Sequence, residues 1–249
     1  MDSAKLPLNL TVFIDLSNRV IQDGDGTSQV DKDTVLVNHL AGIVSKKAWD
    51  SNIKHAKDCF KVFFYPAPAD PTINGLAQSM DIDLGSYQKN QIQKKMDVAK
   101  DMTTTVDKNL KVIYQSTVEQ HDFIGSDIWG FFNTKAKSYC VKDGYRNVLI
   151  VLTDGYIYHK DNLVDDGNGH ITYITARTLR ENKELLPCKQ DLSDLEVLFI
   201  EVDARPKNDF EKIQTTIGKW LAGMKVKKYG VIETDLPNNT KTIIDNFIK

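Results

Sequence analysis

Three stretches of this 249-residue chain place hard oxygen atoms where a divalent cation could be held. The apolar run Thr11-Val12-Phe13-Ile14 ends in Asp15, and a hydroxyl, Ser17, follows two positions later. Residues two apart in extended chain point to the same side, so these two groups converge. A second run, Asn147-Val148-Leu149-Ile150-Val151-Leu152, ends in Thr153-Asp154-Gly155. Ile124-Gly125-Ser126-Asp127 adds a hydroxyl where a helix opens after an irregular loop. Magnesium takes about six oxygens in near-octahedral geometry and keeps several of its waters, so a few carboxylates and hydroxyls from separate strand ends suffice. Asp15, Ser17, Ser126 and Asp154 are the candidate ligands, and Mg²⁺ is the expected ion, with Mn²⁺ and Ca²⁺ as alternatives.

Positioning such a cluster requires strands that all end at one rim, and the chain alternates between strand and helix patterns throughout. After the first strand and a polar loop over 22–31, Asp33 to Asp50 reads as a helix, with Val35, Leu36, Leu40, Ile43, Val44 and Ala48 near a 3.6-residue period. Phe60 to Tyr65 is a second strand. The prolines of Pro66 to Ser86 make that stretch largely loop, with an alternating edge strand at Met80 to Leu84. Tyr87 to Leu110 reads as a long polar helix, Lys111 to Tyr114 as a short extended piece, and Asp127 to Val141 as a helix. Beyond the strand at Val148 to Leu152, Tyr156 to Tyr173 is an excursion, a hairpin turning through Asp166-Gly167-Asn168-Gly169. A helix at Ala176 to Leu185, a strand at Leu195 to Val202, a helix at Asn208 to Met224, a strand at Tyr229 to Glu233 and a helix at Asn239 to Ile248 complete the order. Connections of helix length imply an α/β fold: a doubly wound, mainly parallel central sheet flanked by helices, with one antiparallel edge strand. No linker or repeat divides it, which predicts a single domain over 1–249.

Composition narrows the function classes. A net charge of −2 leaves no basic footprint for nucleic acid. The lysines at 94–95, 225 and 227–228 have acids nearby and read as solvated faces. Cys59, Cys140 and Cys188 lack metal-ligand or disulfide-framework spacing, so buried thiols are expected at Cys59 and Cys140. No apolar run approaches a membrane span and residues 1–9 carry no apolar leader core, so the expected location is the cytoplasm, with no membrane partner. None of His39, His55, His121, His159 and His170 pairs at ligand spacing. Trp220, Leu221 and Met224 are expected in the core, and Trp129 packs under the sheet beside Ser126.

On these residues the chain resembles the von Willebrand factor type A domain family, over nearly its whole length. The metal-ion-dependent adhesion site of that family has an Asp-x-Ser-x-Ser segment after the first strand, a threonine in a later loop and an aspartate after the fourth strand. Asp15 and Ser17 match the first two residues of the segment, Ser126 resembles the loop threonine, and Asp154 matches the distal acid. The order of elements also agrees, with insertions at 66–110 and 156–175. The third position of the segment is Arg19, and a guanidinium cannot ligate a metal. Two readings stay open: a modified site that still holds Mg²⁺, and a degenerate one in which Arg19 neutralises Asp15 or Asp154 directly. The resemblance implies a non-enzymatic module that binds a partner protein at the strand-end rim, through a carboxylate of the partner that completes the ion's shell.

An enzyme alternative comes from Asp23-Gly24-Asp25-Gly26-Thr27, which is similar to the first motif of haloacid-dehalogenase-like, Mg²⁺-dependent phosphohydrolases. There the first aspartate attacks phosphate and the second is a general acid. The preceding Asn18 to Gln22 is too short and polar for a central strand, and Val164-Asp165-Asp166-Gly167 also lacks a leading apolar strand. The acids of 23–33 read as a solvated loop, since the terminal glutamate and leading helix of a calcium loop are missing.

Overall fold

Seven-residue apolar strands form the centre of the molecule because the chain supplies residues that bury both sheet faces. The computed structural model describes residues 6–21, 28–120, 123, 125–156, 163–165, 171–173, 190–204 and 210–249, with 163–165 and 171–173 by backbone alone. The strands are β1 (Leu8–Ile14), β2 (Cys59–Phe63), β3 (Ile82–Asp83), β4 (Arg146–Leu152), β5 (Leu163–Asp165), β6 (Ile171–Tyr173), β7 (Leu195–Val202) and β8 (Lys228–Glu233). Six of them make one sheet in the order β3-β2-β1-β4-β7-β8, parallel except for the antiparallel edge strand β3. The remaining two, β5 and β6, pair as an antiparallel hairpin, as the sequence predicts. The turn between them, the expected helix at 176–185 and Cys188 lie outside the described residues.

The helices are α1 (Gln29–Asp50), α2 (Pro71–Ser79), α3 (Ile92–Gln120), α4 (Ile128–Thr134), α5 (Ala136–Cys140), α6 (Phe210–Gly223) and α7 (Pro237–Ile248). Alternation along each strand sorts them into two layers. Leu10, Val12, Ile14, Val148, Ile150 and Leu152 face α1, α2, α3 and α7. Phe13, Leu149, Val151, Val197 and Phe199 face α4, α5 and α6, where Trp220 is 1% exposed. The fold is therefore the doubly wound α/β architecture expected from the sequence. Cys59 and Cys140 are free and buried, and burial pushes both thiols up to about 12. No helix among the described residues is long and apolar enough to cross a membrane.

Four segments differ from the sequence expectation. The proline-rich stretch contains α2, because Pro71 stands in its first turn, where the missing N–H is no loss, and Asp70 caps it by accepting from Thr72 N at 2.7 Å. Asp70→Ala is expected to lower the midpoint of urea unfolding through loss of the helix cap, an effect that a loop would not show. Lys111 to Tyr114 is helical, since Val106, Leu110, Ile113, Tyr114 and Thr117 extend one buried face of α3. The span from Asp127 to Val141 is two short helices, broken at Lys135. Helix α1 also starts four residues before the expected Asp33, on the Ser28 cap.

Candidate functional site

The chain runs one way from β1 to β2 and the other way from β1 to β4, so the strand order reverses between β1 and β4. Open α/β sheets bind ligands in the crevice outside the carboxyl ends at such a point. The pairing of Ile14 with Leu152 puts Asp15 and Thr153-Asp154 on that rim as neighbours. Asp15 N extends the ladder by donating to Leu152 O at 3.0 Å.

Both carboxylate oxygens of Asp15 are engaged. Oδ1 accepts from Ser17 N at 2.8 Å, and Oδ2 accepts from the Thr153 hydroxyl at 2.9 Å. Thr153 Oγ1 accepts in turn from Gly155 N at 3.2 Å, and Asp154 Oδ1 from Tyr156 N at 3.0 Å. Gly155 has φ +90°, and a Cβ there would stand 2.9 Å from Val202 Cγ1, so this turn needs glycine. Burial, with the charge of Asp15 next in weight, pushes the Asp154 carboxyl up to about 6. Beside this pair, Ser17 Oγ is buried without a hydrogen-bond partner.

Ser126 reaches the rim from the other side. Asp127 N donates to Tyr65 O at 3.0 Å, which fastens this loop just beyond the end of β2. Because β1 lies between β2 and β4, the loop that carries Ser126 and the strand end that carries Asp154 lie on opposite sides of the end of β1. Ser126 is 5% exposed. The residue that opens α4 is Asp127, which accepts from Gly130 N at 2.8 Å, so the Ser126 hydroxyl is not the helix cap. Trp129 packs partly buried against the α4–α6 layer, as expected.

Arg19 lies in a 3₁₀ turn over Asn18–Ile21 and does not hydrogen-bond the carboxylate of Asp15 or of Asp154. Its Nε donates to the Asp15 carbonyl at 2.9 Å, and its Nη2 pairs with Asp33 Oδ2 at 2.5 Å. Burial opposes its charge, but Asp33, Tyr114 and Asp15 together more than compensate, so the guanidinium stays protonated. The polar network continues along the rim toward the carboxyl ends of β7 and β8, where Glu201 stands level with Thr153. Asp33 also accepts from the Tyr114 hydroxyl at 2.6 Å and from Gln29 Nε2 at 2.8 Å. Glu201, with φ +62° at an irregularity of β7, accepts from Thr234 Oγ1 at 2.7 Å and Thr240 Oγ1 at 3.3 Å. The irregularity sends Val202 to the layer opposite Ile200. Burial raises the Glu201 carboxyl above its ordinary value.

Sequence reading does not single out Thr153, Tyr114 or Glu201, and it counts Asp33 among the solvated acids of 23–33, whereas Asp33 lies in α1 and is 0% exposed. Thr153 adjoins a candidate ligand and Asp33 sits among the apolar positions of α1, so both carry a local signal. Tyr114 and Glu201 carry none. Asp23, Asp25, His121, His159 and His170 lie outside the described residues. No group of three or more His, Cys, Asp or Glu among the described residues is arranged to hold a metal. The rim offers two carboxylates with hydroxyls, a donor set suited to hard cations.

No family model matches the sequence, and no curated protein matches it. Two solved structures are similar along nearly their full length. One is an aerotolerance-related membrane protein from Bacteroides fragilis NCTC 9343 carrying multiple mutations to serines, 15% identical, with TM-score 0.42, covering 97% of this chain and 98% of that one. The other is the conserved hypothetical protein BatB from Bacteroides thetaiotaomicron, 14% identical, with TM-score 0.47, covering 97% of each chain. Neither is close enough to lend this chain a ligand or a role.

Proposed function

We propose that this chain is a non-enzymatic protein-interaction module of von Willebrand factor A type, binding its partner at the carboxyl rim of the sheet through a Mg²⁺ ion. Ser17, Ser126, Asp15 and Asp154 would hold the ion. The observation that carries this reading is a buried Ser17 hydroxyl with no partner, at the same rim as an Asp154 carboxyl pushed up to about 6 by burial and by Asp15. An unsatisfied buried oxygen and two mutually repelling carboxylates are each unfavourable alone, and a hard cation relieves both. When bound, the ion supplies a Lewis-acidic position that a partner carboxylate can occupy. The chain's own residues orient the donors: Thr153 and Ser17 N fix the Asp15 carboxylate, and Tyr156 N fixes that of Asp154.

A second reading, a scaffold whose site holds no metal, draws support from Arg19, whose charge favours ionised Asp154. Calorimetric titration of chelator-treated protein with Mg²⁺ and Mn²⁺ separates the two. A saturable heat, lost in Asp15→Ala and Ser17→Ala, is the expected result. Capture of a host protein by the immobilised chain should then require Mg²⁺ and fail for Asp15→Ala. No heat from either ion would leave the scaffold reading in place.

A further inference from the structure

The position that departs from the adhesion-site pattern is the point where the rim is tied to the interior. Arg19 is 2% exposed and Asp33 is 0% exposed. The guanidinium meets Asp33 with both terminal nitrogens, Nη2 to Oδ2 at 2.5 Å and Nη1 to Oδ1 at 3.4 Å. Its remaining arm, Nε–H, donates to the Asp15 carbonyl at 2.9 Å. Asp33 is fixed from two further directions by Tyr114 of α3 and Gln29 of α1. A lone buried cation beside a metal site would repel the metal, but this one is paired with its own carboxylate, Asp33, which offsets much of its charge. What it retains is direction: a planar, pre-organised fork holding a backbone oxygen. The residue held this way bears the Asp15 carboxylate, which in turn holds Ser17 N at 2.8 Å. The backbone of Ser17, whose hydroxyl has no partner, is therefore fixed by a chain of bonds that begins at Asp33.

We propose that Arg19 is a positioning residue for the cation, fixing Asp15 and Ser17 in ligating geometry through the Asp15 carbonyl, with Asp33, Tyr114 and Gln29 as its support. It does not stand in for the ion. The inference rests on the cation reading of the rim. Lysine can keep the charge beside Asp33 but, as a single ammonium, cannot reproduce the fork together with the Nε contact. Supports of this kind around metal ligands typically change affinity by about tenfold to a hundredfold.

The test is Mn²⁺ titration of the full, chelator-treated chain, with free Mn²⁺ read by electron paramagnetic resonance and bound Mn²⁺ by water-proton relaxation. Arg19→Lys is expected to weaken binding at least tenfold and to raise the relaxivity of the bound ion, as water replaces a displaced ligand. Tyr114→Phe keeps the ion pair and the buried ring, and is expected to shift both readouts less, in the same direction. It carries the test if Arg19→Lys does not fold. Unchanged affinity and relaxivity in the folded variants, with only a lower melting temperature, would overturn the positioning role and leave the cation reading standing. Wild-type protein that binds no Mn²⁺ would overturn the cation reading and this inference with it.

Discussion

Asp33→Ala is expected to lower the unfolding free energy by about 3–5 kcal/mol, because it leaves a buried arginine without its counter-charge. Asp33 is 0% exposed and accepts from Arg19, Tyr114 and Gln29, so the truncation strands donors on three elements at once. A loss of that size in a chain of this length shifts the melting temperature by roughly 6–20 °C. Urea unfolding with and without chelator measures it. A double-mutant cycle gives the sharper form. Arg19→Met alone is also expected to be costly, since it leaves Asp33 buried without its counter-charge. With Asp33→Leu as the other single change, the pair Arg19→Met with Asp33→Leu removes both charges, and apolar replacements of a buried pair are often near neutral. Its cost should therefore be well below the sum of the single changes. Additive costs would mean that the two side chains do not act on stability as a unit.

This network also marks where the sequence stops being legible. Alternating strands and helices are local patterns, and β1, β4 and β7 could be read directly because strands buried on both faces are continuous apolar runs. The rim acids were legible for the same reason, each terminating such a run. Helix α2 is hidden because proline breaks helix interiors, although at a helix's first turn it is a starter with Asp70 before it. The second half of α3 was hidden by Val112 and Ile113, whose branched side chains favour strands in isolation. Packing against α1 outweighs that preference. The contacts behind Arg19 have no local trace. Tyr114 meets Asp33 across 81 positions, and Gln29 lies 3.4 Å from Glu201 across 172. Only the folded chain says whether Arg19 turns toward the rim carboxylates or toward Asp33, and that decides whether it substitutes for a cation or supports one.

The largest effect on binding is expected from Asp154→Asn, and its effect on stability should have the opposite sign. The folded-state pKa of Asp154 is raised from 3.8 to about 6, with burial as the first cause and Asp15 the second. A raised carboxyl contributes stability that is fully present below the unfolded value, near 4, and is lost as pH rises through about 6. At pH 7.5 in chelator, wild-type protein therefore carries two close carboxylates with no ion between them. Asparagine removes one charge and keeps the oxygen that accepts from Tyr156 N. The variant should be more stable than wild type by about 1–3 kcal/mol under those conditions. The gain should vanish near pH 4, where Asp154 is protonated in both states. With saturating Mg²⁺ the order should reverse, because wild type gains binding energy on the native side that the variant does not. Wild-type affinity for Mg²⁺ should likewise fall as pH drops below about 6, where protons compete for Asp154. Thermal melts of both proteins at pH 4 and 7.5, with chelator and with Mg²⁺, test all four statements together. A variant less stable than wild type in chelator at pH 7.5 would show that the Asp154 charge is held by contacts other than a cation. Such a result would favour the metal-free scaffold, because a rim already satisfied without an ion has no electrostatic reason to recruit one.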